Sequence, residues 1–362
     1  MSDSINGPVM IMAGGTGGHV YPALAVADEL LQRGVPVVWM GTKKGIEARL
    51  VPEAGIDVDW LGMSGVRGKG ILTLLLAPMK IVMACYQAIK IIRKRKPSVI
   101  LGMGGFVSAP GGLMAWLTRV PLLIHEQNAV PGMSNRILSK ISSKVMEAFP
   151  NSFKVGAEHV GNPVRRSITT LASPQQRNKN REGALRILVF GGSLGAARLN
   201  ELVPQACANI LKDNELKIKH QAGPGNFDQT RLNYAQLSVK AEVLEYIDNM
   251  EAMYAWADLV ICRSGAMTVS ELAAAGVASV LVPYPYAVDD HQTFNAKYLS
   301  DAGAAVLIKQ DELSVDMLVD VLKKMNREKT LEMANIARKL GMPESTSLVA
   351  EACLMAGGYD VN

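Results

Sequence analysis

Apolar residues in this chain fall in short unbroken runs, each closed by glycines or a polar turn and followed by a longer stretch with helical spacing. Runs without polar alternation predict strands buried on both faces, as in parallel sheets. In the first half the pattern predicts strands over 8–13, 35–40, 58–62, 98–101 and 121–124. It predicts helices over 22–33 and 47–54 and from Pro131 to about residue 140. Residues 162–184 lose periodicity, turn polar and carry two prolines, which predicts an interdomain linker. A second series follows, with strands over 185–190, 217–221, 242–246, 258–262, 278–282 and 304–308 and helices over 198–211 and 266–275. The tail from Ser314 onward reads as helical. Strand and helix alternating in this way predict an α/β fold made of two doubly wound parallel-sheet domains. Ligands bind such sheets at the carboxyl ends of the strands, so two domains face to face would hold one in a cleft.

The stretch 71–92, ILTLLLAPMKIVMACYQAIKII, breaks the pattern. It is strongly apolar, but Pro78, Lys80 and Lys90 interrupt it before the roughly 18 uncharged residues that a membrane-spanning helix needs. Two readings remain: a core helix with a solvated basic end, or an element lying on a membrane surface. The charge pattern favours the second. From Trp60 through His125 there is no Asp or Glu, while Arg67, Lys69, Lys80, Lys90, Arg93, Lys94, Arg95, Lys96 and Arg119 fall inside that span. A one-sign patch beside an apolar run fits anionic headgroups.

Composition narrows the classes further. The chain has 362 residues, 49% hydrophobic and 20% charged, which is a folded protein large enough for two domains. Net charge is only +5, and the 5% of aromatic residues do not interleave with the basic cluster. That argues against single-stranded nucleic acid as a partner. Cys85, Cys207, Cys262 and Cys353 are scattered without metal-ligand spacing, as expected of reduced thiols in a cytosolic protein. The first residues carry no signal-peptide pattern.

The candidate chemistry sits in the loops after the strands. Gly14-Gly15-Thr16-Gly17-Gly18-His19 follows one strand and precedes a helix. It is no dinucleotide fingerprint, since Val20 stands where the third glycine belongs, and no phosphate-binding Walker loop. Gly17 and Gly18 still let backbone approach a polar ligand. His19 is either a general base or a loop-capping residue. Gly102-Met103-Gly104-Gly105 and Gly191-Gly192-Ser193-Leu194-Gly195 are further glycine loops, either tight strand–helix turns or, where Ser193 sets a hydroxyl beside free N–H groups, a pyrophosphate site. His125-Glu126-Gln127-Asn128 puts four polar groups after an apolar strand, more than a turn needs and suited to sugar hydroxyls. Residues 258–295 run strand, glycine turn, helix, strand. The helix start at Ala266-Met267-Thr268, continuing through Val269 and Ser270, reads either as an anion site with Glu271 within reach of ribose hydroxyls or as an ordinary βαβ unit with a solvated Glu, and the stretch alone slightly favours the second. Asp57-Val58-Asp59 resembles a metal-binding DxD motif. It stands at the start of a strand, so it reads as structural, and no metal or cofactor is expected.

Together these loops carry a resemblance. Residues 12–19, 101–105 and 125–128, the run Gly161-Asn162-Pro163-Val164-Arg165, Gly191-Gly192-Ser193, and Arg263 to Glu271 with Gln292 resemble, in order, the MurG family. These are the UDP-N-acetylglucosamine transferases that convert lipid I to lipid II in bacterial peptidoglycan synthesis. The resemblance implies the glycosyltransferase B architecture of two Rossmann-like domains. Residues 1–163 would form the domain binding acceptor and membrane, and 185–340 the domain binding UDP-GlcNAc. Residues 164–184 would link them, and 341–362 would return as a helix to the first. It implies that Ile247 and Arg263 flank the uracil and that Glu271 accepts from ribose. It implies that Ser193 and the helix start at 266–268 hold the pyrophosphate, and that Thr16, Asn128, Arg165 and Gln292 contact the donor. The implied reaction is inverting transfer of GlcNAc to the 4-hydroxyl of the muramyl sugar of lipid I, with His19 as base and His125 or Glu126 as competitors. The partners implied are UDP-GlcNAc, lipid I, an anionic membrane surface met through residues 67–96, and other cell-wall enzymes, but no nucleic acid. The place implied is the cytoplasmic face of the bacterial cell membrane, as a peripheral protein. A UDP-GlcNAc 2-epimerase of the same fold, or a non-catalytic nucleotide-sugar-binding membrane scaffold, are the alternatives.

Overall fold

The computed structural model describes residues 6–62, 77–154, 156–192, 195–211 and 215–360. The chain divides into two compact units, residues 1–163 with 344–362, and residues 164–343.

The first unit holds a seven-stranded sheet. Its strands are β1 Val9–Met12, β2 Val37–Gly41, β3 Asp57–Trp60, β4 Val99–Gly102, β5 Leu122–Glu126, β6 Lys144–Glu147 and β7 Ala157–His159, in the order β3-β2-β1-β4-β5-β6-β7. All pairs are parallel. Val9 pairs with Val37 on one side and Val99 on the other, and both are buried, which is why β1 tolerates no polar residue. One face packs Val20, Ala23, Ala27 and Leu30 of the helix Gly17–Gln32 against Val349, Ala350, Cys353 and Leu354 of the helix Ser345–Gly357. The chain's end is tied to its beginning, since Tyr359 donates its hydroxyl to the Gly7 carbonyl at 2.6 Å. The other face carries the helix Ala77–Arg95, packed on Ser108–Leu117, which in turn packs on Met133–Leu138.

The second unit holds β8 Leu185–Phe190, β9 Leu216–Gln221, β10 Ala241–Leu244, β11 Leu259–Cys262, β12 Ala278–Leu281 and β13 Ala305–Leu307, in the order β10-β9-β8-β11-β12-β13, again all parallel. In each unit the order reverses beside the first strand, between β1 and β4 and between β8 and β11. The four glycine or polar loops that leave those strands therefore gather at the two switch points.

Several elements depart from the pattern-based expectation. The first helix starts at Gly17 and keeps Pro22 inside it. The first turn's N–H groups have no intrahelical acceptor in any case, and glycines there cost little beyond entropy. Strand β5 continues through His125 and Glu126, which pair with Met146 and Glu147 of β6. Strands β6 and β7 escape the pattern because both are short and half polar, and β7 is the sheet edge. Residues 164–184 belong to the second unit and carry two short helices, Arg166–Thr169 and Pro174–Asn178. The second is capped by Ser173 and Gln176 in a reciprocal box. The four cysteines are free, and burial pushes the thiols of Cys207 and Cys353 up to about 12.

Candidate active site

In the first unit the loops after β1 and β4 are pressed together. Gly105, at φ +83°, leaves no room for a side chain against the Gly14 carbonyl. Gly104, at φ +94°, would put a β-carbon 2.7 Å from His19 Nδ1. Glycine is required at both on conformation and space. Glu47, wholly buried, fixes the other side of the loop. Its carboxylate accepts from the Gly15 amide at 2.9 Å, the Thr42 amide at 3.1 Å and the Thr42 hydroxyl at 2.7 Å. Thr16 and Gly15 are left exposed at the tip, with Gly17, Gly18 and His19 half-buried in the helix's first turn.

The polar run at the end of β5 turns inward. His19 Nδ1 lies 2.8 Å from Gln127 Oε1, and Gln127 Nε2 lies 3.0 Å from His125 Nδ1. His125 Nε2 meets the Gly161 carbonyl at 2.9 Å. Burial pushes the His125 imidazole down to about 4, although the Gly161 bond and the Glu126 charge oppose the shift. With both ring nitrogens engaged and no exposed edge, His125 is not placed to take a substrate proton. Glu126 is not placed for it either. Its Oε1 accepts from the Asn128 amide and side chain at 3.0 and 3.2 Å, and its Oε2 from the Gly132 amide and Asn135 at 3.0 and 2.9 Å. A carboxylate with four donors is a structural tie for the 128–135 turn. His19 is thus the one of the three proposed bases with a half-exposed ring.

The basic cluster is partly neutralised in space. Arg95 donates to Asp59 at 2.6 Å and Asp57 at 3.1 Å, and Lys94 lies 3.6 Å from Asp59. This gives the Asp57-Val58-Asp59 motif a structural partner. Arg67 and Lys69 lie outside the described residues. Exposed apolar residues stand on all three helices of this face: Met79, Val82, Met83 and Tyr86 on Ala77–Arg95, which also carries Lys80 and Lys90, Trp116 and Leu117 on Ser108–Leu117, and Met133 and Ile137 on Met133–Leu138. No helix among the described residues is long and apolar enough to cross a membrane.

In the second unit a cavity of about 720 Å³ opens at the switch point, lined by Gly191, Gly192, Gly195, Arg263, Gln292 and Gln310 among others. Ser193, the expected hydroxyl in this loop, lies outside the described residues. The helix Ala266–Ala275 starts without a side-chain cap, so the amides of Ala266, Met267 and Thr268 have no intrahelical acceptor. Val269 is different. Its side chain is buried and its amide already bonds the Gly265 carbonyl at 3.0 Å. Ser270 is half-buried one position further along.

Glu271 is held from two directions. Arg165 Nη2 stands 3.4 Å from its Oε1, because the helix Arg166–Thr169 packs on Ala266–Ala275. The buried Tyr254 hydroxyl donates to its Oε2 at 2.9 Å. Burial raises the Glu271 carboxyl above its usual 4.5, and Arg165 and Tyr254 pull against that shift. Arg263 is pinned flat. It donates to the Val282 and Pro283 carbonyls at 3.2 and 3.0 Å and to Gln310 at 2.5 Å, with the Tyr284 ring 5.7 Å away. Gln292 accepts from the Tyr284 amide at 2.9 Å, and Asp289 and Asp290 before it take left-handed backbone at φ 53° and 50°. Ile247 is buried and does not line the cavity. Sequence reasoning left Glu47, Tyr254 and Gln310 unremarked and gave Gln127 no role of its own, because a buried acceptor or donor shows itself only through its partner.

Residues 9–147 match the family model for the glycosyltransferase family 28 N-terminal domain, and residues 186–348 match the one for its C-terminal domain. The chain is similar to a Dechloromonas aromatica protein named UDP-N-acetylglucosamine–N-acetylmuramyl-(pentapeptide) pyrophosphoryl-undecaprenol N-acetylglucosamine transferase. The two are 50% identical over 345 residues, 95% of this chain and 97% of that one. Among solved structures, Acinetobacter baumannii MurG superposes with a TM-score of 0.87 at 42% identity, over 96% of this chain and 99% of that one. A UDP-GlcNAc 2-epimerase from Neisseria meningitidis, bound to UDP-GlcNAc, superposes at TM-score 0.67 but only 12% identity over 96% and 99% of the two chains, a likeness of fold alone. With both domain models matched and relatives this similar along almost the whole length, the chain belongs to glycosyltransferase family 28 and, within it, to the MurG family.

Proposed function

We propose that the protein transfers GlcNAc from UDP-GlcNAc to the 4-hydroxyl of the muramyl sugar of lipid I, with inversion, releasing UDP and forming lipid II. The observation that carries this reading is in the second unit: an uncapped helix start with free amides and, five residues on, a carboxylate oriented by Arg165 and Tyr254. Diphosphate on the amides and ribose on Glu271 is the arrangement a nucleotide sugar needs. Thr16, Asn128, Arg165, Arg263 and Gln292 complete the donor contacts in this reading, with Arg263 at the uracil end.

In the displacement, the acceptor oxygen forms its bond to the anomeric carbon as the bond to the diphosphate breaks. The hydroxyl proton passes to His19 Nε2, and the electron pair leaves with UDP. Stabilising the departing charge falls to the amides of Ala266, Met267 and Thr268. The acceptor is a polyprenyl lipid, and the exposed apolar faces of three adjacent helices, with the lysines of Ala77–Arg95, give it a membrane surface to approach. The protein then acts as a peripheral enzyme on the cytoplasmic face of the cell membrane, where other cell-wall enzymes are candidate partners. An epimerase has no use for that surface. UDP release measured with and without a lipid I analogue tests the reading, and lipid-independent release would sink it. Binding to anionic vesicles should weaken with salt, and equal binding to neutral vesicles would count against the membrane part.

A further inference from the structure

The hydrogen-bond chain that ends on His19 has a direction, and two backbone carbonyls set it. A carbonyl oxygen only accepts. Gln127 Nε2 lies 3.1 Å from the His125 carbonyl, so the amide nitrogen of Gln127 must occupy that side. Its oxygen therefore faces His19 Nδ1, at 2.8 Å, and requires a proton there. The other end agrees. His125 Nε2 faces the Gly161 carbonyl and carries its proton, which leaves His125 Nδ1 bare to accept from Gln127 Nε2 at 3.0 Å. Reversing any one member sets two acceptors or two donors against each other.

Resting on the reading of His19 as the base, we infer that Gln127 and His125 are positioning residues that hold His19 as its Nδ1–H tautomer, with the Nε2 lone pair directed away from the chain to receive the acceptor's proton. Among the described residues, Nε2 of His19 has no hydrogen-bond partner of its own. Free imidazole side chains favour the opposite tautomer, so the protein must impose this one. Burial makes the imposition firm, because Gln127 and His125 are wholly buried and no water competes for their groups. Asn162 anchors the Gln127 backbone carbonyl at 3.0 Å, next to the Gly161 carbonyl that anchors His125. The backbone of Gly104 closes against the ring of His19 and limits its rotation. His125 stays neutral well below ordinary working pH, so the chain keeps one direction.

The test is a long-range proton–nitrogen correlation spectrum of histidine-labelled full-length protein at a pH where the imidazoles are neutral, with His19 assigned through His19→Gln. The expected result is an Nδ1–H signature for His19. Gln127→Met removes the acceptor at similar side-chain length. It should convert His19 mainly to the Nε2–H form and lower kcat about ten- to a hundredfold, with KM for UDP-GlcNAc unmoved. A His19 bearing its proton on Nε2 in the unaltered protein overturns the inference without any variant, so a poorly folding Gln127→Met does not protect it. A fall in kcat with the tautomer unchanged overturns it as well. Full activity in His19→Ala would instead sink the base assignment, and the tautomer spectrum would still report on the chain.

Discussion

The two units share a sheet topology and a switch point, yet they treat polar groups there in opposite ways. In the first, the loop groups are spent on one another: Glu47 on the Gly15 amide, Glu126 on four donors, His125 and Gln127 on a chain ending at His19. In the second, amides at a helix start stay without an intrahelical partner and a carboxylate is oriented but not saturated. The fold explains where the loops gather. It does not explain what they do, which depends on whether each polar group is consumed internally or kept available for a ligand. A saturated site aims one residue, whereas an unsaturated one binds.

The sharpest way to break this contrast is His19→Ala. It should lower kcat for transfer about a hundred- to a thousandfold while donor affinity holds, measured with donor saturating. Near-normal turnover would mean that the first unit's network aims nothing. Next is Glu126→Ala, which strands four donors. It should cost about 2–4 kcal/mol of stability in urea unfolding, and a negligible loss would reopen Glu126 as a base. A third effect is common to both units, since each buries a neutral histidine. Burial pushes His125 down to about 4 and His220 down to about 3, below the usual 6.5. The folded state resists protonation, so stability is full above pH 6.5 and falls as pH drops toward 4, by roughly 3 kcal/mol for each residue. An unfolding midpoint that stays constant from pH 7 to 4.5 would contradict this. The smallest effect concerns Glu271→Ala, expected to weaken UDP-GlcNAc binding about ten- to a hundredfold by calorimetry. Because burial raises the Glu271 carboxyl, donor affinity should begin to fall at a higher pH than for an ordinary carboxylate. Arg165→Ala should move that fall higher still, and unchanged acid behaviour would remove Arg165 from the site.

Much of this was legible in the sequence. Unbroken apolar runs such as 187–190 and 259–262 lie in the central strands of parallel sheets, and glycines after them mark the switch-point loops. Pattern reading failed where burial and apolar character part company. His125 and Glu126 are polar and sit inside a strand, β6 is short and half polar, and β7 is an edge strand without an apolar run. The segment 164–184 looked like a linker because its polar residues bond locally, as in the Ser173 cap. The acid-free span from Trp60 to His125 is acid-free only along the chain, since Asp57 and Asp59 reach Arg95 in space.

By itself, the sequence determined the fold class, the two series of strands, the order of the glycine loops and the resemblance that led to the family, because all of these are written in local spacing. Only the tertiary structure decided which of the three proposed bases keeps a half-exposed ring, that Gln127 stands between His19 and His125, and that Tyr254 and Arg165 meet at Glu271. Hydrogen bonds between residues a hundred positions apart have no period. They come into being only when the sheet order carries one loop onto another.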